Sequence, residues 1–280
     1  MSAFSASDAA LEGFEVLRAH WRVVVGWGVF SLLAVVALVA ITVVVAVGVG
    51  LAGTGDEATA TAGVIGATLD ALATGLILAA LVVGLYRLKL RPDDPGFLHL
   101  RLGRDEGRLF VIALIWGAAL FLLAACAVAL GTLLNGFISV GQILARVLVA
   151  GVGGWLALRF ALTAPISFAE RRIDFLASWR MTRGQVWPLL GMWFLNLCLV
   201  LLIWLALWLA VFVLSGLLTG FHGFAIADSD EALTSHPLRY LLEAIIPILC
   251  MPALLVLSQA PWVAAYRGLA NPAPETPAEP

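Results

Sequence analysis

Apolar residues run through this chain in six long stretches, with the charged residues collected in the connections between them. The stretches lie at about 23–47, 69–86, 109–133, 143–164, 187–214 and 241–266. At about 20 residues per crossing, each is read as one membrane-spanning helix. The uncharged run from Gly184 to Ala227 is long enough to hide a tight hairpin. One long helix is nevertheless expected there, because no turn-forming residue interrupts Leu197 to Leu214 and the glycines cluster later, at Gly216, Gly220 and Gly223. The short link NGFISVGQ predicts that the third and fourth spans are antiparallel neighbours. Pro247, Pro252 and Pro261 predict a kinked sixth span, and residues 271–280, NPAPETPAEP, read as a disordered tail.

Ahead of each pair of spans the pattern changes to a helical period with charged and apolar sides. Residues 8–22 carry Leu11, Phe14, Leu17 and Trp21 on one stripe and Asp8, Glu12, Glu15, Arg18 and Arg22 largely opposite, with Ser7 or Asp8 as the expected N-cap. Residues 97–108 and 170–186 repeat the arrangement, the latter setting Arg171, Arg172, Arg180 and Arg183 among Ile173, Phe175, Leu176, Trp179 and Met181. Such segments suit a membrane surface. The fold class expected is therefore an all-α polytopic membrane protein. Its six transmembrane helices form three hairpins, each with a cytoplasmic interfacial amphipathic helix, in one domain over residues 1–270. A cleaved signal peptide fits poorly, since the leading segment carries acids and the uncharged run from Val23 to Gly55 far exceeds a signal core.

Composition agrees with this reading: 62% of residues are hydrophobic and 12% charged, outside the range of a soluble domain. The net charge of −2 matters less than where the charges sit, and no nucleic-acid partner follows from it. With the spans as drawn, 14 of the 16 basic residues fall on one side, leaving Arg146 and Arg239 on the other. That bias predicts both termini in the cytoplasm. Arginine supplies all the basic residues but Lys89, which suggests a GC-rich coding sequence and hence a bacterium. Cys126, Cys198 and Cys250 each lie inside an apolar run, where cysteine behaves as a small buried residue rather than a disulfide or metal ligand.

Polar groups inside the spans are the candidates for function. Counting about 1.5 Å per residue from the basic end of each helix puts Arg159, Asn196, Gln259 and Ser31 at roughly 12–13 Å depth. Inward-facing side chains would let Arg159 hydrogen-bond Asn196 and Gln259 with Ser258 nearby, and a cation so held could take the phosphate or carboxylate of an anionic lipid headgroup. The plainer alternative is that Arg159 snorkels and the amides bind neighbouring helices. Near the opposite face, Arg146 is expected to pair with Asp70 or Glu243 as a structural ion pair. His222, Asp228, Asp230, Glu231 and His236 share a loop but match no metal-ligand spacing, so a solvated loop is expected and no metal or other cofactor. No phosphate-binding loop, zinc-protease motif or nucleophile elbow occurs, so no catalytic residue is assigned.

The central stretch, in Pro165, Glu170 to Arg172, Ser178, Trp179, Thr182, Arg183, Gly184, Trp187 and Gly191, resembles bacterial six-helix integral-membrane proteins of unknown function. It is also similar to the membrane domain found ahead of some glycerophosphodiester phosphodiesterases. Leu102, Gly103, Arg104, Asp105 and Glu106 form a second such segment. The phosphodiesterase domain itself is missing from these residues, so the resemblance implies a bacterial inner-membrane location and a lipid- or envelope-related role rather than hydrolysis. Two functions remain open: a non-enzymatic membrane scaffold or partner subunit, and a lipid-handling transporter or channel-like protein using an Arg159-centred inner-leaflet anion site. The partners expected are membrane lipids, anionic ones in particular, and a protein at the cytoplasmic face.

Overall fold

A run of apolar residues has only one way to satisfy its backbone without water or a second strand, and in the computed structural model every such run is helical. The structure describes residues 5–52, 56–92, 97–101, 103–135, 140–219 and 237–270. Among these residues the regular elements are all helices: α1 (Ala6–Ala52), α2 (Asp56–Leu90), α3 (Arg104–Asn135), α4 (Gly141–Phe160), α5 (Thr163–Glu170), α6 (Phe175–Met181), α7 (Val186–Thr219) and α8 (Pro237–Ala270), with one 3₁₀ turn at Phe97–His99. Six helical stretches are long and apolar enough to cross a membrane. This is a multi-pass membrane protein. The run after Gly184 is a single helix, α7, over all its described length, whereas residues 220–236 and the tail at 271–280 lie outside the described residues.

The ends of the helices follow their sequence cues, with three corrections. Ser5 rather than Ser7 or Asp8 caps α1, its Oγ accepting from the Asp8 amide at 3.3 Å. The helical geometry of α1 breaks at His20 (φ −127°, ψ 31°), near the end of the amphipathic segment. The amphipathic helix expected from Phe97 is absent: Leu98 and His99 both take positive φ, 54° and 58°, and α3 starts only at Arg104. Left-handed backbone at two successive side-chain-bearing residues cannot propagate a right-handed helix. The fourth span breaks after Phe160 into α4 and α5, and α5 stops at Arg171, whose φ of 57° is a left-handed cap. Asp174 then starts α6 by accepting from the Ala177 amide at 2.8 Å, and Gly184, at φ +82°, turns the chain into α7.

The chain divides into two compact units. One comprises residues 1–10, 82–193 and 260–280, and the other residues 11–81 and 194–259. In the first unit α3 packs on α4 and α5, and α6 lies against α4 and α5. Gly131 and Gly141 set the α3–α4 approach: a Cβ on Gly131 would sit 3.2 Å from the Gln142 Cα, and one on Gly141 2.5 Å from the Asn135 nitrogen. Its core joins Ala9 and Ala10 to Leu162, Ile166, Leu189, Met192 and Ala265. In the second unit small residues again mediate contact, since a Cβ on Gly28 would lie 2.6 Å from the Leu249 carbonyl and one on Gly13 2.8 Å from the Leu257 Cα. The buried side of the early α1 segment is thus its small face, Gly13 and Val16, while Leu11, Phe14 and Trp21 point outward.

Candidate functional site

The most polar part of the first unit lies where α2 ends, α3 begins and α5 ends. Helix C-termini favour cations and N-termini anions, and the sequence complies, with Arg87 and Lys89 in the last turn of α2 and Asp105 and Glu106 in the first turn of α3. Arg87 and Glu106 meet at 2.5 Å with their side chains only 5% and 1% exposed, and Arg87 also donates to the His99 carbonyl at 3.1 Å. Arg91 donates to the Phe168 carbonyl at 2.8 Å, lies 4.5 Å above the Phe168 ring and approaches Asp105 at 3.6 Å. Arg108 pairs with Asp105 and donates to the Arg171 carbonyl. Two of these guanidinium groups, Arg91 and Arg108, satisfy carbonyls at the end of α5, Arg87 satisfies that of His99, and together the three neutralise two acids at the start of α3. The result is a closed ionic knot.

Comparison with family models, curated proteins and solved structures gives no match. The site must be judged on its own geometry.

Arg159, the foremost sequence candidate, also lies in the first unit, in the last turn of α4. Its guanidinium stacks 5.0 Å from the Trp179 ring and 5.5 Å from Trp155, and these two indoles meet edge to face at 5.2 Å. Among the described residues its Nε and Nη1 find no hydrogen-bond acceptor and are shielded from solvent. Indole faces provide the negative potential instead. The Arg159 carbonyl accepts from Ser178 at 2.8 Å and Thr182 at 3.3 Å, fastening α6 beneath α4. Phe160 continues the aromatic cluster, with its centroid 5.5 Å from that of Trp179 and 5.9 Å from that of Phe175.

Asn196, Ser258 and Gln259 lie in the second unit. There Asn196 is buried, and Ser258 donates to the Leu255 carbonyl of its own helix at 2.9 Å. Arg146, in the first unit, reaches Gln142 at 3.4 Å one turn away on α4, and the carboxylates of Asp70 and Glu243 lie exposed in the second unit. The described residues contain no group of three metal-ligating side chains. His222, Asp228, Asp230, Glu231 and His236 lie outside them.

Beside the Arg159 cluster is a cavity of about 670 Å³ between α4 and the first turns of α7. Gly151, Gly154, Trp155, Trp187 and Trp193 line it, and Trp262 of α8 closes one wall. The cavity wall includes Trp155 and Leu158 but stops short of Arg159. Hydropathy along the fourth span gave no sign of this cavity. Trp187, Trp193 and Trp262 converging on a glycine-bearing helix is the signal that points to it.

Proposed function

We propose that the chain is a non-enzymatic membrane scaffold with a lipid- or envelope-related role, seated in a bacterial inner membrane with both termini cytoplasmic and its spans paired as three hairpins. The ionic knot carries this reading. Arg87, Arg91 and Arg108 are consumed in fastening α2, α3 and α5 together, while Arg101, Arg104 and Arg171 remain exposed around it. A rigid body bearing outward guanidinium groups suits contact with anionic headgroups, each worth about 1 kcal/mol near a charged leaflet. A catalytic or transporting site would require an open polar cavity, and Arg159 is instead packed between two indoles. The resemblance to six-helix membrane proteins and to the membrane domain of some phosphodiesterases agrees with a supporting rather than a chemical role.

The test is the triple variant Arg101→Glu, Arg104→Glu and Arg171→Glu, floated on vesicles of phosphatidylglycerol and phosphatidylcholine with the protein in nanodiscs. Wild type should bind anionic vesicles in a salt-sensitive way and the variant should not. Equal binding by both would contradict the platform. A stoichiometric protein that co-purifies with wild type and leaves the variant would transfer the surface to a partner subunit.

A further inference from the structure

The cavity between α4 and α7 lies on segments that cross the membrane, so its open side meets lipid rather than water. Its walls are apolar, with carbon from indoles and from Leu158 and Leu190 and an indentation at Gly151 and Gly154, where an added Cβ would meet no atom within 4 Å. Trp187 at one end is 81% exposed, which leaves the mouth open. Leu148 and Val152, on the same helix α4, are exposed apolar groups suited to hydrocarbon.

Positive charge gathers at the end near α6. Arg183 precedes the cavity-lining Val186 by three residues, and Arg180 adjoins Trp179, whose ring packs on the cavity-lining Trp155. Both arginines are exposed. Arg159 adds a third charge fixed behind those indoles. An apolar slot ending at cations matches an amphiphile with a long hydrocarbon chain and an anionic head.

We propose that this groove holds one acyl chain of an anionic phospholipid from the leaflet at the arginine-rich end, with its phosphate at Arg180 and Arg183. The chain lies along Gly151 and Gly154 between the indoles, and Arg159 acts as a positioning residue that holds the wall residue Trp155 against Trp179. The site rests on the membrane-spanning reading of α4 and α7 and not on the scaffold role. It also uses none of the arginines of the platform variant, so either proposal can fail alone.

The full chain is reconstituted in vesicles of phosphatidylglycerol and phosphatidylethanolamine, extracted in mild detergent, and its bound lipid counted by native mass spectrometry. Wild type should retain one phosphatidylglycerol per chain. Gly151→Leu with Gly154→Leu fills the slot from positions where a Cβ is uncrowded, and should reduce retention at least tenfold with an unchanged melting curve. Arg180→Gln with Arg183→Gln should keep a lipid but lose the preference for the anionic head. Inorganic phosphate at millimolar concentration should not displace the lipid, because the chain supplies most of the binding. Equal retention by wild type and the glycine variant, no retained lipid in wild type, or displacement by phosphate would each overturn the proposal. Should the double glycine variant unfold, Gly154→Val alone carries the same comparison.

Discussion

Removing the Glu106 carboxylate would break an ion pair buried with Arg87, a change that typically costs about 3–5 kcal/mol. Glu106→Ala should therefore lower stability by that amount in detergent, read by thermal unfolding. Arg87→Leu with Glu106→Leu should recover most of the loss, because an apolar pair has no charge to desolvate; additive losses would contradict a coupled pair. At Gly184, a side chain would have to adopt φ +82°, so Gly184→Ala should cost about 1–2 kcal/mol, while Gly117→Ala, with open space around it, should cost nothing measurable. The sequence made Arg159 conspicuous as a cation deep in an apolar run, and the structure adds Trp155 and Trp179 stacked on its guanidinium. Helix rise gives the depth of a side chain and not its direction around the axis, so depth alone could not have named these two indoles. Arg87 was legible only as one of many basic residues, although an arginine ending one helix and an acid pair opening the next is a pattern that helix dipoles favour.

At the scale of elements, small residues decide how helices meet. Gly28 has the Leu249 carbonyl where its Cβ would be. Gly28→Val should force α1 away from α8 and cost about 1–3 kcal/mol, as overpacking does, with a fall in melting temperature as the readout and Gly48→Val as the neutral control. The existence and type of all six long helices could be read from apolar runs, because in lipid length and hydropathy nearly dictate a helix. The connector around residues 97–108 could not. Its alternating apolar and basic residues satisfy a helical period, yet left-handed backbone at Leu98 and His99 and the capture of the His99 carbonyl by Arg87 fix a single 3₁₀ turn. Tertiary hydrogen bonding overrode a pattern that local periodicity alone would have made helical. The segment 170–186 fared better, because Asp174 and Gly184 are both start and stop signals in their own right.

For the molecule as a whole, the account turns on the side of the membrane to which the arginines belong. The knot, the exposed platform and the charged end of the groove all use arginines assigned to the cytoplasmic side by the 14-to-2 distribution of basic residues. Inverting the topology would turn that basic platform away from the anionic cytoplasmic leaflet and toward the exterior. The decisive measurement is labelling of a single cysteine at Arg104→Cys, in a chain whose Cys126, Cys198 and Cys250 are replaced by serine, with a membrane-impermeant maleimide. The account predicts labelling only after cells are permeabilised. Full labelling in intact cells would contradict it.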